Sequence, residues 1–280
     1  MKHVDFAKLG LVATTLAITA LAVGPALSRP SEPQPGLFPI PLSDDLLLEF
    51  MQPKEGQDGA AQQWSEQHLK QFVGIPGVKA GQLLLGHSSA NPNLSAVGQL
   101  SMYELPAAAA SGLDAEVQAR LQDGRLPKGD DLFDSSTFHL LYRPLWSAVM
   151  ARDVPGTNPE PIGSGPVSID YMLVMSNPSP PEQEDAYNAW YDHTHVPDVL
   201  RVPGFMSAQR YVRIGGNADK PRYLVIFKFK TRDADATSAE IARRIKAGIT
   251  RMSPLLGGGK GGGGGVFVPA GPVALASGSR

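Results

Sequence analysis

Apolar runs of strand length alternate along this chain with longer stretches whose apolar residues recur every three or four positions, and the alternation occurs twice in the same order. "DLLLEFM" carries a strand at 46–51, a helix follows at about 59–72, and after "IPGV" comes a strand at 78–85. A strand at 97–104, a helix at 113–121 and a last strand in "STFHLLYRPL" complete the first set. The second set runs from the strand "VSIDYMLVM" through the helix "PEQEDAYNAWYDHTH" and turns at "VPGF" into the strand "MSAQRYVRI". "RYLVIFKFK" is its next strand, "DATSAEIARRIKAGI" its second helix and "GVFVP" its closing strand. Each set reads β-α-β-β-α-β, the ferredoxin-like unit. The predicted class is therefore α+β, with two such repeats in one chain.

Individual residues echo the repeat. His68 stands eight residues before Pro76 of "IPG", and His195 eight before Pro203 of "VPG". Gln82 and Gln209 each follow their proline by six. Trp64 and Trp190 align only if one residue is inserted. Long apolar runs with weak alternation suit sheets covered on both faces, so two units are expected to pair and enclose an interior. The predicted organisation is a first repeat at 43–150, a linker at 151–166, a second repeat at 167–270 and a tail at 271–280.

Composition narrows the chemistry. The chain has 280 residues, a formal net charge of -2 and 42% hydrophobic residues, enough for two modest cores. It has no Lys/Arg run, which speaks against a nucleic-acid partner. It has no cysteine, which excludes disulfides, thiol nucleophiles, zinc–cysteine sites and iron–sulfur clusters. Residues 1–28 read as a leader: Lys2, His3 and Lys8 precede an apolar run, and Ala26 and Ser28 fit a signal-peptidase pattern. Export to the periplasm or medium is the expectation, with an uncleaved inner-membrane anchor as the alternative. Residues 29–42 form a proline-rich lead-in, and "GGGKGGGGG" at 257–265 reads as a connector, lacking the Ser or Thr of a phosphate loop.

The densest chemistry lies in "WYDHTHVPDVLRVPGF". Ser179 can cap the helix before it, with Pro180 and Pro181 in the first turn and Glu182 at the capping-box position. Pro197 should end that helix near His195, where the dipole would raise the imidazole pKa. His193 and His195 sit about 200° apart on a helix, so no metal site is expected. Tyr191 and Asp192, four and three residues before His195, share its side. A carboxylate there can orient an imidazole for acid–base work; the same spacing also describes an ordinary cap and surface pair.

"NAWYDHTHVPDVLRVPGFMSAQRYV" resembles the EthD-like branch of the dimeric α/β-barrel proteins, through Trp190, Tyr191, Asp192, His195, Pro197, Pro203, Gly204 and Phe205. The first half keeps Trp64, His68, Pro76 and Gly77 but has "WSEQH" in place of "WYDHTH", and looks like a degraded partner copy. The resemblance implies a barrel built from two ferredoxin-like units, here fused, with a pocket between sheet and helix. It also implies a family of cofactor-independent lyases, isomerases, decarboxylases and dehydratases acting on aromatic or polyketide-like substrates.

On that basis the expected activity is cofactor-independent acid–base catalysis on a small hydrophobic, oxygenated, aromatic substrate. His195 would move the proton, Asp192 would orient it, and Tyr191 or Arg210 would polarise an oxygen. Trp190, Arg210, Tyr171, His139 and His68 are the expected substrate contacts. Only one of Arg210 and Tyr211 can face the pocket, because they are neighbours on a strand. Two alternatives stand beside this: a non-catalytic exported barrel holding an apolar ligand, and a haem-dependent oxidoreductase of the same superfamily. Assembly into a homodimer is a further expectation.

Overall fold

The computed structural model describes residues 44–276 except 90, 97, 108, 135–137, 147, 217–219 and 258–262. The expected leader, the proline-rich lead-in and the middle of the glycine run lie outside the described residues. The first repeat comprises β1 (Asp44–Met51), α1 (Asp58–Val73), β2 (Ala80–Gly86), β3 (Gln99–Pro106), α2 (Ala110–Gln122) and β4 (Phe138–Pro144). A two-residue strand, β5 (Val149–Met150), follows. The second repeat comprises β6 (Ser168–Ser176), α3 (Glu184–Trp190), α4 (Val196–Leu200), β7 (Phe205–Gly216), β8 (Tyr223–Thr231), α5 (Ala234–Lys246) and β9 (Gly263–Pro269), and β10 (Ala274–Leu275) follows it. Both halves are β-α-β-β-α-β units, as the periodicity predicts.

The strands close into an antiparallel barrel in the order β2-β3-β1-β4-β7-β8-β6-β9, with β9 returning to β2. Each unit contributes four consecutive strands. The joints are β4 on β7 and β9 on β2, so the edge strand of each unit is capped by the other and no long edge is left open. β10 adds to β2 through Ala274 and Leu275. The expected connector at 257–265 is partly strand: its last three glycines begin β9, where Gly265 lets Ala96 approach.

Side-chain parity divides the apolar residues into three bodies. Leu46, Leu48, Leu100, Met102, Leu140 and Leu224 fill the barrel together with Tyr142, Tyr171 and Tyr211. The opposite faces of the strands pack under the helices, around Phe72 and Leu69 in the first repeat and around Phe205, Phe227 and Tyr187 in the second. Each fully buried large side chain contributes about 1.5–3 kcal/mol. The barrel interior is thus packed core. Tyr171 belongs to it, its hydroxyl donating to Gln82 Oε1 at 3.2 Å, which corrects the expectation that it meets a substrate.

At one end of the barrel Lys79 Nζ lies 2.6 Å from Asp44, and Arg143 clasps Asp45 with two bonds of 2.9 and 2.8 Å. Glu104 faces Asp44 there. Burial, and then that neighbouring carboxyl, push Glu104 up to about 7. Among the described residues no helix is long and apolar enough to cross a membrane.

Candidate active site

The second-repeat helix does not end at His195. Residues Tyr191–His195 form a π turn, in which the Val196 amide donates to the Tyr191 carbonyl five residues back, and α4 continues to Leu200. The wider turn tolerates Pro197 at the start of α4, where a missing donor costs least. Nor does Ser179 cap the helix; a 3-10 turn at Pro181–Gln183 leads into α3. The inserted residue brings Trp190 over His195, with ring centres 4.8 Å apart and planes at 29°. Tyr191 meets the same imidazole edge-on at 5.0 Å.

His195 is 7% exposed, and its Nδ1 lies 3.3 Å from the Arg251 carbonyl. Because a carbonyl only accepts, the proton sits on Nδ1. Burial, which the carbonyl and the nearby Asp198 only partly offset, lowers the imidazole to about 4. The helix-end expectation of a raised value is therefore reversed: the ring is mid-helix, desolvated and neutral at pH 7.

Asp192 does not orient His195. Its carboxylate lies 2.5 Å from Arg210 Nη1, and Arg210 Nη2 lies 2.8 Å from Asn188 Oδ1. Arg210 is 2% exposed, set over the ring of Tyr191 at 4.4 Å and flanked by Tyr187, Tyr223 and Trp146. Burial outweighs the guanidinium and keeps the Asp192 carboxyl above its usual range. The Tyr191 hydroxyl is buried, and burial holds its phenol far above the ordinary range. Of the neighbours on β7, Arg210 faces the helices and Tyr211 the barrel core. His193 is exposed, on the opposite side from His195.

The first repeat holds the same stack on a regular helix. Trp64 lies on His68 four residues later, with ring centres 4.4 Å apart and planes at 14°. Here the imidazole meets a carboxylate: His68 Nε2 is 3.3 Å from Glu49 Oε2, and the Tyr103 hydroxyl donates to the same oxygen at 3.0 Å. Burial, and then Glu49, raise the Tyr103 phenol well above its ordinary value, so it remains a donor. His68 Nδ1 is buried and has no hydrogen-bond partner among the described residues, whereas the Glu49 side chain keeps 20% of its surface.

Beside this couple lies a cavity of about 420 Å³. β1 lines it with Glu49 and Met51, α1 with Trp64 and His68, and β4 with His139. α2 adds Val117 and Leu121, and the following loop adds Leu126, Lys128, Asp130, Phe133 and Asp134. That volume suits a small organic ligand. The repeat expected to be degraded thus carries the cavity. The structure brings His68 and His139 together there, and leaves Tyr191, Asp192, His195, Trp190 and Arg210 in a packed cluster under the second set of helices. Glu49 and Tyr103 were missed in the sequence. The available signal was an acidic residue, Glu49, inside the apolar stretch of "DLLLEFM", at a helix-facing position. Among the described residues no group of three His, Asp or Glu side chains could hold a metal ion.

No family model and no curated protein matches the sequence. Solved structures do. An anthrone oxidase-like protein superposes with a TM-score of 0.55 at 13% identity, covering 85% of this chain and 94% of its own. A candidate monooxygenase from Fusobacterium nucleatum gives 0.47 at 9% identity, covering 83% and 94%. A mutant chlorite dismutase from Candidatus Nitrospira defluvii gives 0.46 at 10% identity, covering 81% and 92%. The fold is the dimeric α/β barrel, with both halves supplied by one chain.

Proposed function

We propose that this protein is a cofactor-independent acid–base enzyme acting on a small, hydrophobic, oxygenated aromatic substrate, and that its active site is the first-repeat cavity. One observation carries the reading: a half-buried carboxylate, Glu49, faces a partly open cavity of mixed polar and apolar lining while His68 and Tyr103 hold it in place. A proton acceptor fixed by two donors is preorganised for transfer. Trp64, Phe133 and Leu121 supply flat and aliphatic walls for an aromatic ring. Lys128, Asp130 and Asp134 mix both signs at the rim, which favours a neutral ligand over an ion.

His195 fits this role less well. A base near 4 lies far from neutral pH, and its ring is enclosed by Trp190, Tyr191 and the Arg251 carbonyl. The test is a thermal-shift screen of phenols, aryl ketones and aromatic acids, with product analysis on each hit. Val117→Trp, which fills the cavity from α2, should abolish the hits, and Glu49→Gln should abolish turnover while keeping binding. Hits and turnover that survive both substitutions place the chemistry elsewhere.

A further inference from the structure

The strand register sets a second titratable group beside Glu49. Glu49 on β1 and His139 on β4 are directly paired across the antiparallel ladder. Their neighbours Leu48 and Leu140 point into the barrel, so both polar side chains point out towards the helices, and both line the cavity. Directly paired residues hold their Cβ atoms about 4.5–5.5 Å apart. His139 is exposed, and Glu49 is only half-buried. The other imidazole, His68, is turned to Glu49 through Nε2 and has its Nδ1 sealed away from the space.

This separation matches a particular task. A carbonyl oxygen and the hydrogen on its neighbouring carbon are a few ångströms apart, and each can be reached by a group at about 2.6–3.2 Å. Two groups rooted side by side on adjacent strands can therefore serve both ends of one C–C=O unit. We infer that Glu49 and His139 form an acid–base pair across one carbonyl group, and that the site catalyses enolisation of a small neutral ketone that carries an aromatic ring. The inference rests on the cavity being the active site.

In the step, the Glu49 carboxylate removes the proton on the carbon next to the carbonyl. The C–H electron pair becomes the new C=C bond, and the carbonyl π pair moves to oxygen. The imidazolium of His139 gives that oxygen its proton. The reverse step returns a proton to carbon, at the same atom or, in a conjugated substrate, at a more distant one. No electrons leave the substrate, and no co-reactant is needed.

The probe is 2-indanone in deuterated buffer, followed by proton NMR as its methylene signals disappear, with binding measured by thermal shift. The wild-type chain should exchange these protons faster than buffer, and Glu49→Gln should fall to the buffer rate. His139→Gln should bind 2-indanone as the wild type does, yet exchange it about 100-fold more slowly at saturation. His139→Lys, which restores an acid, should regain part of that loss, and His139→Asn repeats the test if His139→Gln fails to fold. Exchange by His139→Gln within twofold of wild type, with Glu49→Gln inactive, overturns the pair and leaves the cavity reading standing. Binding that Val117→Trp removes, without catalysed exchange, overturns enolisation. Neither binding nor exchange overturns both.

Discussion

Arg210 grips Asp192 at 2.5 Å from a position beneath the ring of Tyr191, although the two residues belong to different elements, β7 and the π turn. The guanidinium is buried and Asp192 is 18% exposed. Removing one partner of such a pair strands the other charge, at a cost of about 3–5 kcal/mol for full burial. Asp192→Ala should therefore lower unfolding stability by about 3 kcal/mol, read from urea denaturation at pH 7. Arg210→Met with Asp192→Leu should recover much of the loss. A single-variant loss below about 1 kcal/mol would mean the pair behaves as a surface ion pair.

His195 gives the protein a pH dependence of known sign. Its imidazole falls from 6.5 in the unfolded chain to about 4 in the folded one, chiefly through burial. Between those values the unfolded chain binds a proton that the folded chain refuses, so stability drops as pH falls. The contribution is complete above 6.5 and reaches about 3 kcal/mol of loss below the folded value. Urea midpoints measured from pH 7 to pH 4.5 should decline less in His195→Gln than in the wild type. Parallel declines would sink this assignment.

The repeat and the element order were legible because hydrophobic periodicity reports them directly, and the barrel was implied by the resemblance that Trp190 to Phe205 carry. The one-residue gap between the tryptophans also had a physical cause that only the backbone reveals. Trp64 reaches His68 across four residues of α-helix, and Trp190 reaches His195 across five, because a π turn absorbs the extra residue. Pro197 read as a stop signal because α-helical rules left no other place for it. The partners of Asp192 and His68 were not legible. Arg210 and Glu49 come from distant strands, and spacing along one helix cannot rank a local neighbour against a partner brought in by the sheet.

The paired "IPG" and "VPG" turns make unequal demands on their glycines. Gly77 and Gly204 both hold positive φ, 92° and 86°. A Cβ on Gly77 would meet the Ala109 methyl at 2.8 Å, which moves only with the loop that precedes α2. On Gly204 it would run into the Lys230 carbonyl, and the Lys230 amide itself donates to Gly204 at 2.8 Å. Gly77→Ala should cost about 1–2 kcal/mol from backbone strain. Gly204→Ala should cost clearly more, because a β8 ladder position must move as well. Equal losses in thermal unfolding would contradict this ranking.

Glu104 works against His195 over the same pH range. Its carboxyl rises from 4.5 in the unfolded chain to about 7 in the fold, through burial first and then the neighbouring Asp44. The folded state therefore keeps a proton that the unfolded state releases, and this stabilisation is full below 4.5 and lost as pH rises through 7. His195 has the opposite slope between about 4 and 6.5, so the two tilts partly cancel in the wild type. Glu104→Gln keeps a donor towards Asp44 and cannot ionise. Its urea midpoint should therefore rise more steeply with pH than the wild type's between 4.5 and 7, exposing the His195 slope. A Glu104→Gln profile parallel to the wild type's would show that the carboxyl titrates at the same pH in both states, and that Asp44 and burial do not hold its proton.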